Sequence, residues 1–125
     1  MDLKKYFESI DGFGALSTAN AKGVVNSALF ARPHILSSDT LAFITIERLN
    51  YLNLKENPSA YYLFKDSSDE YSGVRLVLTK ISEEKNSPKI AELSRRELKG
   101  DRDRYLITFK IEKVLPLVGD GSSNY

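Results

Sequence analysis

The 125-residue sequence contains no cysteine and a single histidine, His34. Without cysteine there is no disulfide framework, no thiol nucleophile and no thiolate metal site, and one histidine cannot make a histidine pair or cluster. Metal catalysis is therefore not expected. A surplus of charge is also missing: 18 Lys+Arg stand against 17 Asp+Glu, a formal net charge of +1, and no basic run is longer than Arg95-Arg96. Such a field would not hold a phosphate backbone against salt, so nucleic acid is not expected as a partner. Long apolar runs are absent too. Residues 115–118 are interrupted by Pro116, and a bilayer span needs roughly 18 to 20 apolar residues. Glu8 follows Tyr6 and Phe7 directly, and the N-terminus lacks the apolar core of a signal peptide. The expectation is a cytoplasmic protein with no membrane partner. A hydrophobic content of 42% suits one domain with a modest core. Its bounds are expected at residues 1–118, with residues 119–125 as a flexible tail.

Periodicity supplies the elements. Leu3, Tyr6, Phe7 and Ile10 recur at helical spacing and predict a short helix ending near Gly12. Residues 13–19 and the β-branched run from Val24 to Arg32 predict a hairpin about the turn Asn20-Ala21-Lys22-Gly23, with Pro33 implying an edge or a bend. Strands are expected at residues 41–46, 60–64, 74–81 and 105–112. A helix should run from Arg48 to Glu56 and stop before Asn57-Pro58. Ser87-Pro88 reads as a cap followed by proline in the first turn, with Ile90, Leu93 and Leu98 on one face of a helix running down to Lys99-Gly100. Six strands in so short a chain imply a mainly β (α+β) fold, a small antiparallel barrel with about three short helices. Strand 74–81 is apolar on both faces, since Val74, Leu76 and Leu78 point one way while Val77 and Ile81 point the other. Either a helix or a second copy of the chain must cover the outer face.

Residues 12–81 resemble the pyridoxamine 5′-phosphate oxidase-like FMN-binding split barrels. The likeness is carried by Gly14-Ala15-Leu16-Ser17-Thr18, the turn through Gly23, the strand to Arg32, the strand over residues 41–45, Leu54-Lys55-Glu56-Asn57-Pro58, residues 60–64 and the strand after Gly73. The resemblance implies a six-stranded antiparallel split β-barrel that forms homodimers and binds FMN in grooves between subunits. Matched segment by segment, it puts Ala28, Leu29, Phe30, Ala31, Arg32 and Pro33 along the flavin ring and phosphate, with Arg32 as a phosphate ligand. Ile44, Thr45, Arg48, Leu49 and Asn50 fall on the phosphate-binding segment, and Arg75 on a position facing the pyrimidine edge of the flavin. Asn50 stands where relatives commonly carry lysine, so Arg48 would have to supply the charge.

These residue types suit the ligand. A phosphate dianion calls for guanidinium donors and free backbone N–H groups, and a flat tricyclic ring calls for an apolar wall with hydrogen bonds to its edge. Each also has a plain structural use: scattered arginines are commonly solvated, Thr45 can cap a helix, and the Phe30 ring can be core. His34 reads as a surface residue on a turn with no catalytic role, and the acidic stretch from Asp66 to Glu70 as a solvated loop lacking calcium-loop spacing. The implied activity is a small FMN-dependent oxidoreductase, a flavin reductase or electron carrier with a small-molecule or protein redox partner. A true pyridoxamine 5′-phosphate oxidase is not expected, because the end of the chain lacks the Arg- and His-rich substrate segment. Other readings are a non-enzymatic module for haem, another tricyclic cofactor or a protein, and a structural dimer with an empty groove.

Overall fold

The computed structural model of the chain describes residues 1–68, 70–95, 98 and 100–119. Helix α1 (Leu3–Ser9) starts at Asp2, whose carboxylate accepts from the Lys5 N–H at 3.1 Å, and it buries Leu3 and Phe7. Strands β1 (Gly12–Ala19) and β2 (Val25–Phe30) follow as a hairpin. Its turn is held by the Asn20 Oδ1, which accepts from the N–H groups of Lys22 and Val24, and by Gly23 at φ +81°. Then come β3 (His34–Ile35), β4 (Thr40–Thr45), α2 (Leu49–Glu56), β5 (Ser59–Asp66), β6 (Gly73–Lys85), α3 (Pro88–Leu93) and β7 (Tyr105–Pro116).

All strands pair antiparallel in one sheet ordered β2-β1-β5-β6-β7-β4-β3. The long β6–β7 pair changes register between Val77 and Leu78 and again between Lys80 and Ser82, and such bulges bend and coil a sheet. The result is a half-barrel. Phe30 of β2 meets Phe43 of β4 edge-on at 5.5 Å, across the open side between the two ends of the sheet. Gly14 permits a second tie: a Cβ there would collide with the Tyr62 ring. With that space open, the Tyr62 hydroxyl reaches the carbonyls of Phe30 and Ala31 at 3.1 and 3.2 Å.

Several expectations change. Seven strands are present among the described residues, not six, because the chain after Pro33 rejoins the sheet at its other edge, pairing His34 with Ala42 and Ile35 with Leu41. Two residues are too few to carry an alternating pattern. Helix α3 begins as expected, with the Ser87 hydroxyl accepting from the Lys89 N–H at 3.2 Å, but it ends at Leu93. Leu98 is off the helix and 40% exposed, and Lys99 lies outside the described residues. So do residues 120–125, most of the expected tail. Asp66 is not part of a solvated loop. It is buried and accepts from the Tyr6 hydroxyl at 3.1 Å and the Ser68 hydroxyl at 2.6 Å, tying α1 to the β5–β6 turn.

The two faces of the sheet bury differently. The concave face carries the main core, including Leu16, Tyr62, Phe64, Leu76, Leu78, Ile107 and Phe109, sealed by α1 and by Tyr51 and Leu54 of α2. On the convex face, α3 lays Ile90 over Ala42 and Leu106, so β7 is buried on both sides where one buried face was expected. The convex face of β2, β1, β5 and β6 has no such cover among the described residues. Phe13, Leu29 and Leu63 stand 69%, 77% and 44% exposed there.

Candidate functional site

The residues singled out from the sequence fall into three places. The first is the far end of β2. Ala28 and Phe30 turn inward and the Phe30 ring packs against the main core, while Leu29 and Ala31 face outward. Among the described residues β2 pairs only with β1, so the other edge of Val25–Phe30 offers backbone N–H and C=O groups to a ligand. Arg32 sits just beyond, but its Nη1 donates to the carbonyls of Phe7 and Ile10 at 2.7 and 2.8 Å, closing the end of α1. Buried Pro33 and the Arg32 carbonyl receive Arg95, whose Nη1 and Nη2 donate to the carbonyls of Arg32 and Pro33 at 2.7 and 3.2 Å. Next to it, burial first and then Arg95 lower the pKa of His34 to about 4, so its imidazole is neutral near pH 7.

The second place is the β4–α2 junction. Thr45 is the last residue of β4 and its hydroxyl donates to the Ile46 carbonyl at 2.9 Å, so it does not cap α2. Arg48 is the cap residue and its side chain makes no capping bond, so it leaves the first-turn N–H groups of α2 uncapped. Leu49 is 62% exposed. Asn50 is buried instead of facing a ligand. Its Nδ2 donates to the Leu16 carbonyl at 2.9 Å, and its Oδ1 accepts from the Thr18 hydroxyl at 2.6 Å and Asn26 Nδ2 at 3.0 Å. A lysine in its place would bring an ammonium into that network.

The third is Arg75 on β6, whose Nε donates to the Pro116 carbonyl at 2.8 Å and whose Nη2 donates to the Gly119 carbonyl. It lies on the convex face in the cross-strand row Leu29, Ala15, Leu63, Arg75, Leu115.

Within one chain these places are apart. Asn50 fixes the start of α2 to Asn26 near the beginning of β2, whereas Arg32 lies past its end, six residues and about 20 Å of extended chain away. Arg32 and Arg48 are therefore not brought into one cleft.

Arg48 shares its cleft with residues that the motif reading missed. The space is about 270 Å³ and is lined by Ile46, Glu47, Arg48, Arg102, Asp103 and Tyr105. Thr45 pairs with Tyr105, so Arg48 follows that rung by three residues and Arg102 precedes it by three. Both guanidiniums thus leave the sheet at one corner. The signal in the sequence was Arg102-Asp103-Arg104 before an alternating strand, but only the β4–β7 pairing tells which loop it meets. The Tyr105 ring stacks on Tyr51 at 4.1 Å, and the Tyr51 hydroxyl donates to Glu83 Oε2 at 2.7 Å. Burial works to raise the Glu83 pKa, but hydrogen bonds from Lys80, Tyr51 and Lys55 outweigh it and hold it at about 2.

Among the described residues no group of three acidic, histidine or cysteine side chains is disposed to hold a metal, and no helix is long and apolar enough to cross a membrane. No protein-family model and no curated protein matches the sequence. Solved structures do match the fold. An FMN-binding protein from Syntrophomonas wolfei superposes with a TM-score of 0.75 at 18% identity over 94% of this chain and 84% of its own. A candidate pyridoxamine 5′-phosphate oxidase from Lactobacillus delbrueckii gives 0.69 at 15% identity over 92% of each chain. HutZ, the haem storage protein from Vibrio cholerae, gives 0.56 at 14% identity, again over 92% of each. At these identities the likeness establishes a shared split-barrel-like fold, among whose members are flavin- and haem-handling proteins.

Proposed function

We propose that the chain is an FMN-binding flavoprotein of the pyridoxamine 5′-phosphate oxidase-like family, a small oxidoreductase whose flavin lies at a homodimer interface. The observation that carries this reading is the bare convex face of β2, β1, β5 and β6. Its outward row of Leu29, Ala15 and Leu63 is apolar, and α3 covers only the other half of the sheet. A face of this kind suits an isologous partner.

The residues fit the cofactor in part. The unpaired edge of β2 near Ala28 and Leu29 would offer backbone groups and an apolar border for a flavin ring, and the β4–α2 segment with Ile44, Thr45, Arg48 and Leu49 a cationic end for its phosphate. Arg32 and Asn50 would shape the groove from behind, through the α1 and β1–β2 contacts already described. The cleft at Arg48, about 270 Å³, is smaller than the about 300 to 1,000 Å³ usual for a ligand pocket, which suits a half-site completed by a second subunit. Arg75 on the convex face would lie against the partner, its charge near the flavin's pyrimidine edge. FMN, when bound, supplies the hydride or electron chemistry; the protein binds, orients and shields it.

The test is an absorbance spectrum of the purified protein with an FMN fluorescence titration. Flavin bands, or quenching of added FMN, are the expected result. A colourless protein that leaves FMN fluorescence unchanged would refute the reading. One observation favours a haem-binding module as the second reading: Asn50 is buried where a phosphate-binding lysine is common; His34, the chain's single histidine, would then be the nitrogen ligand for iron. Hemin would then give a shifted Soret band that His34→Ala abolishes.

A further inference from the structure

The described arginines of this chain divide into two groups. Arg32, Arg75 and Arg95 donate to backbone carbonyls, as does Arg104, which reaches the Arg102 carbonyl at 3.2 Å. They brace the fold. Arg48 and Arg102 differ: among the described residues neither guanidinium has a hydrogen-bond partner or an ion pair within 4 Å, although both line one cleft that also holds Glu47 and Asp103. Asp103 is already engaged, by Lys85 at 3.3 Å and by Asn86 Nδ2 at 3.0 Å. Both guanidiniums line one cleft with their donors unused, and an anion bound there would accept charge-assisted hydrogen bonds from both.

The mounting of Arg102 is specific. Asn86, in the left-handed region at φ 52°, donates its N–H to the Arg104 carbonyl at 2.7 Å. Its side-chain oxygen accepts from the Arg104 N–H at 2.9 Å. Together with the bonds to Asp103, these contacts pin residues 103 and 104 to the end of β6 and aim the preceding residue at the cleft. The Thr45–Tyr105 rung fixes the opposite wall.

We propose that Arg102 joins Arg48 as a second guanidinium ligand for a phosphomonoester dianion in this cleft. The inference rests on the flavin reading above and deepens it: the phosphate of FMN is gripped from two loops, β4–α2 and the approach to β7, and Arg102 takes the part that Arg32 cannot reach. Free phosphate presents the same chemistry, and the test separates the two sources. FMN, riboflavin and inorganic phosphate are titrated into full-length wild type, Arg102→Ala, Arg48→Ala and a Lys89→Ala control that removes an equal charge on α3. Arg102→Ala is expected to weaken FMN at least tenfold and riboflavin by less than twofold, as is Arg48→Ala. Inorganic phosphate is expected to compete with FMN but not with riboflavin. Equal losses for both flavins, or none for either, would overturn the assignment. If the wild type binds neither flavin, the flavin reading fails by itself, and calorimetry with inorganic phosphate then decides: binding that is lost in Arg102→Ala supports an anion cleft of another purpose, and no binding overturns it.

Discussion

The convex face of the sheet is finished on one half and unfinished on the other. Over β4 and β7, α3 presses Ile90 onto Ala42 and Leu106, each at most 2% exposed. Over β2, β1 and β5, residues of the same kind, Phe13, Leu29 and Leu63, face outward with no element of the described chain against them. The same alternating pattern serves both halves. Whether an apolar residue on such a strand becomes core or stays exposed is decided by where the connecting helix returns, and the short α3 returns to only one side.

Substitutions on the two halves should therefore act differently. The largest effect is expected from Leu29→Asp with Leu63→Asp. Burying two charges in a subunit interface costs several kcal/mol each, so the pair should turn a dimer into a folded monomer, read as a halved mass by sedimentation with an unchanged far-ultraviolet circular dichroism spectrum. If the mass does not change, the bare half is ordinary surface. On the finished half, Ile90→Ala should cost about 2 to 5 kcal/mol in urea unfolding through the cavity it leaves, with the mass unaltered. Asn50→Ala, beneath the β1–β2 hairpin, strands the Leu16 carbonyl and the Thr18 and Asn26 donors and should cost about 1 to 3 kcal/mol. A negligible loss would mean that water replaces the amide there.

The smallest effect is a pH dependence at Glu83. Its pKa of about 2 in the folded chain lies below the ordinary carboxylate value. Its contribution to stability is therefore complete above about pH 4.3, the unfolded value, and is lost as the pH falls toward about 2. Glu83→Gln should flatten that part of the stability curve. An identical acid limb in both proteins would show that Glu83 is not held by Tyr51, Lys80 and Lys55.

Much of this architecture is legible in the sequence because it is local. The stripe of Leu3, Tyr6, Phe7 and Ile10, the Asn20–Gly23 turn, the Ser87-Pro88 start of α3 and the alternation through Tyr105 each announce an element by spacing or turn chemistry. What is not legible is where distant segments meet. β3 is two residues defined only by its pairing with β4. Arg32 reads as a free cation at a strand end, yet it closes a helix 22 to 25 residues earlier in the chain. Asn50 reads as a weakened ligand position, yet its amide is used up by β1 and β2. Arg102 carries no motif, and its meeting with Arg48 follows only from the Thr45–Tyr105 rung.

The most direct test of the central claim is sedimentation of the FMN-loaded protein, monitored at once in the protein and flavin absorbance bands. Flavin is expected to travel with a species of twice the 14.1 kDa chain mass, and to be released when Leu29→Asp and Leu63→Asp split that species. Flavin left at the meniscus, or carried by a single 14.1 kDa chain, would contradict the claim.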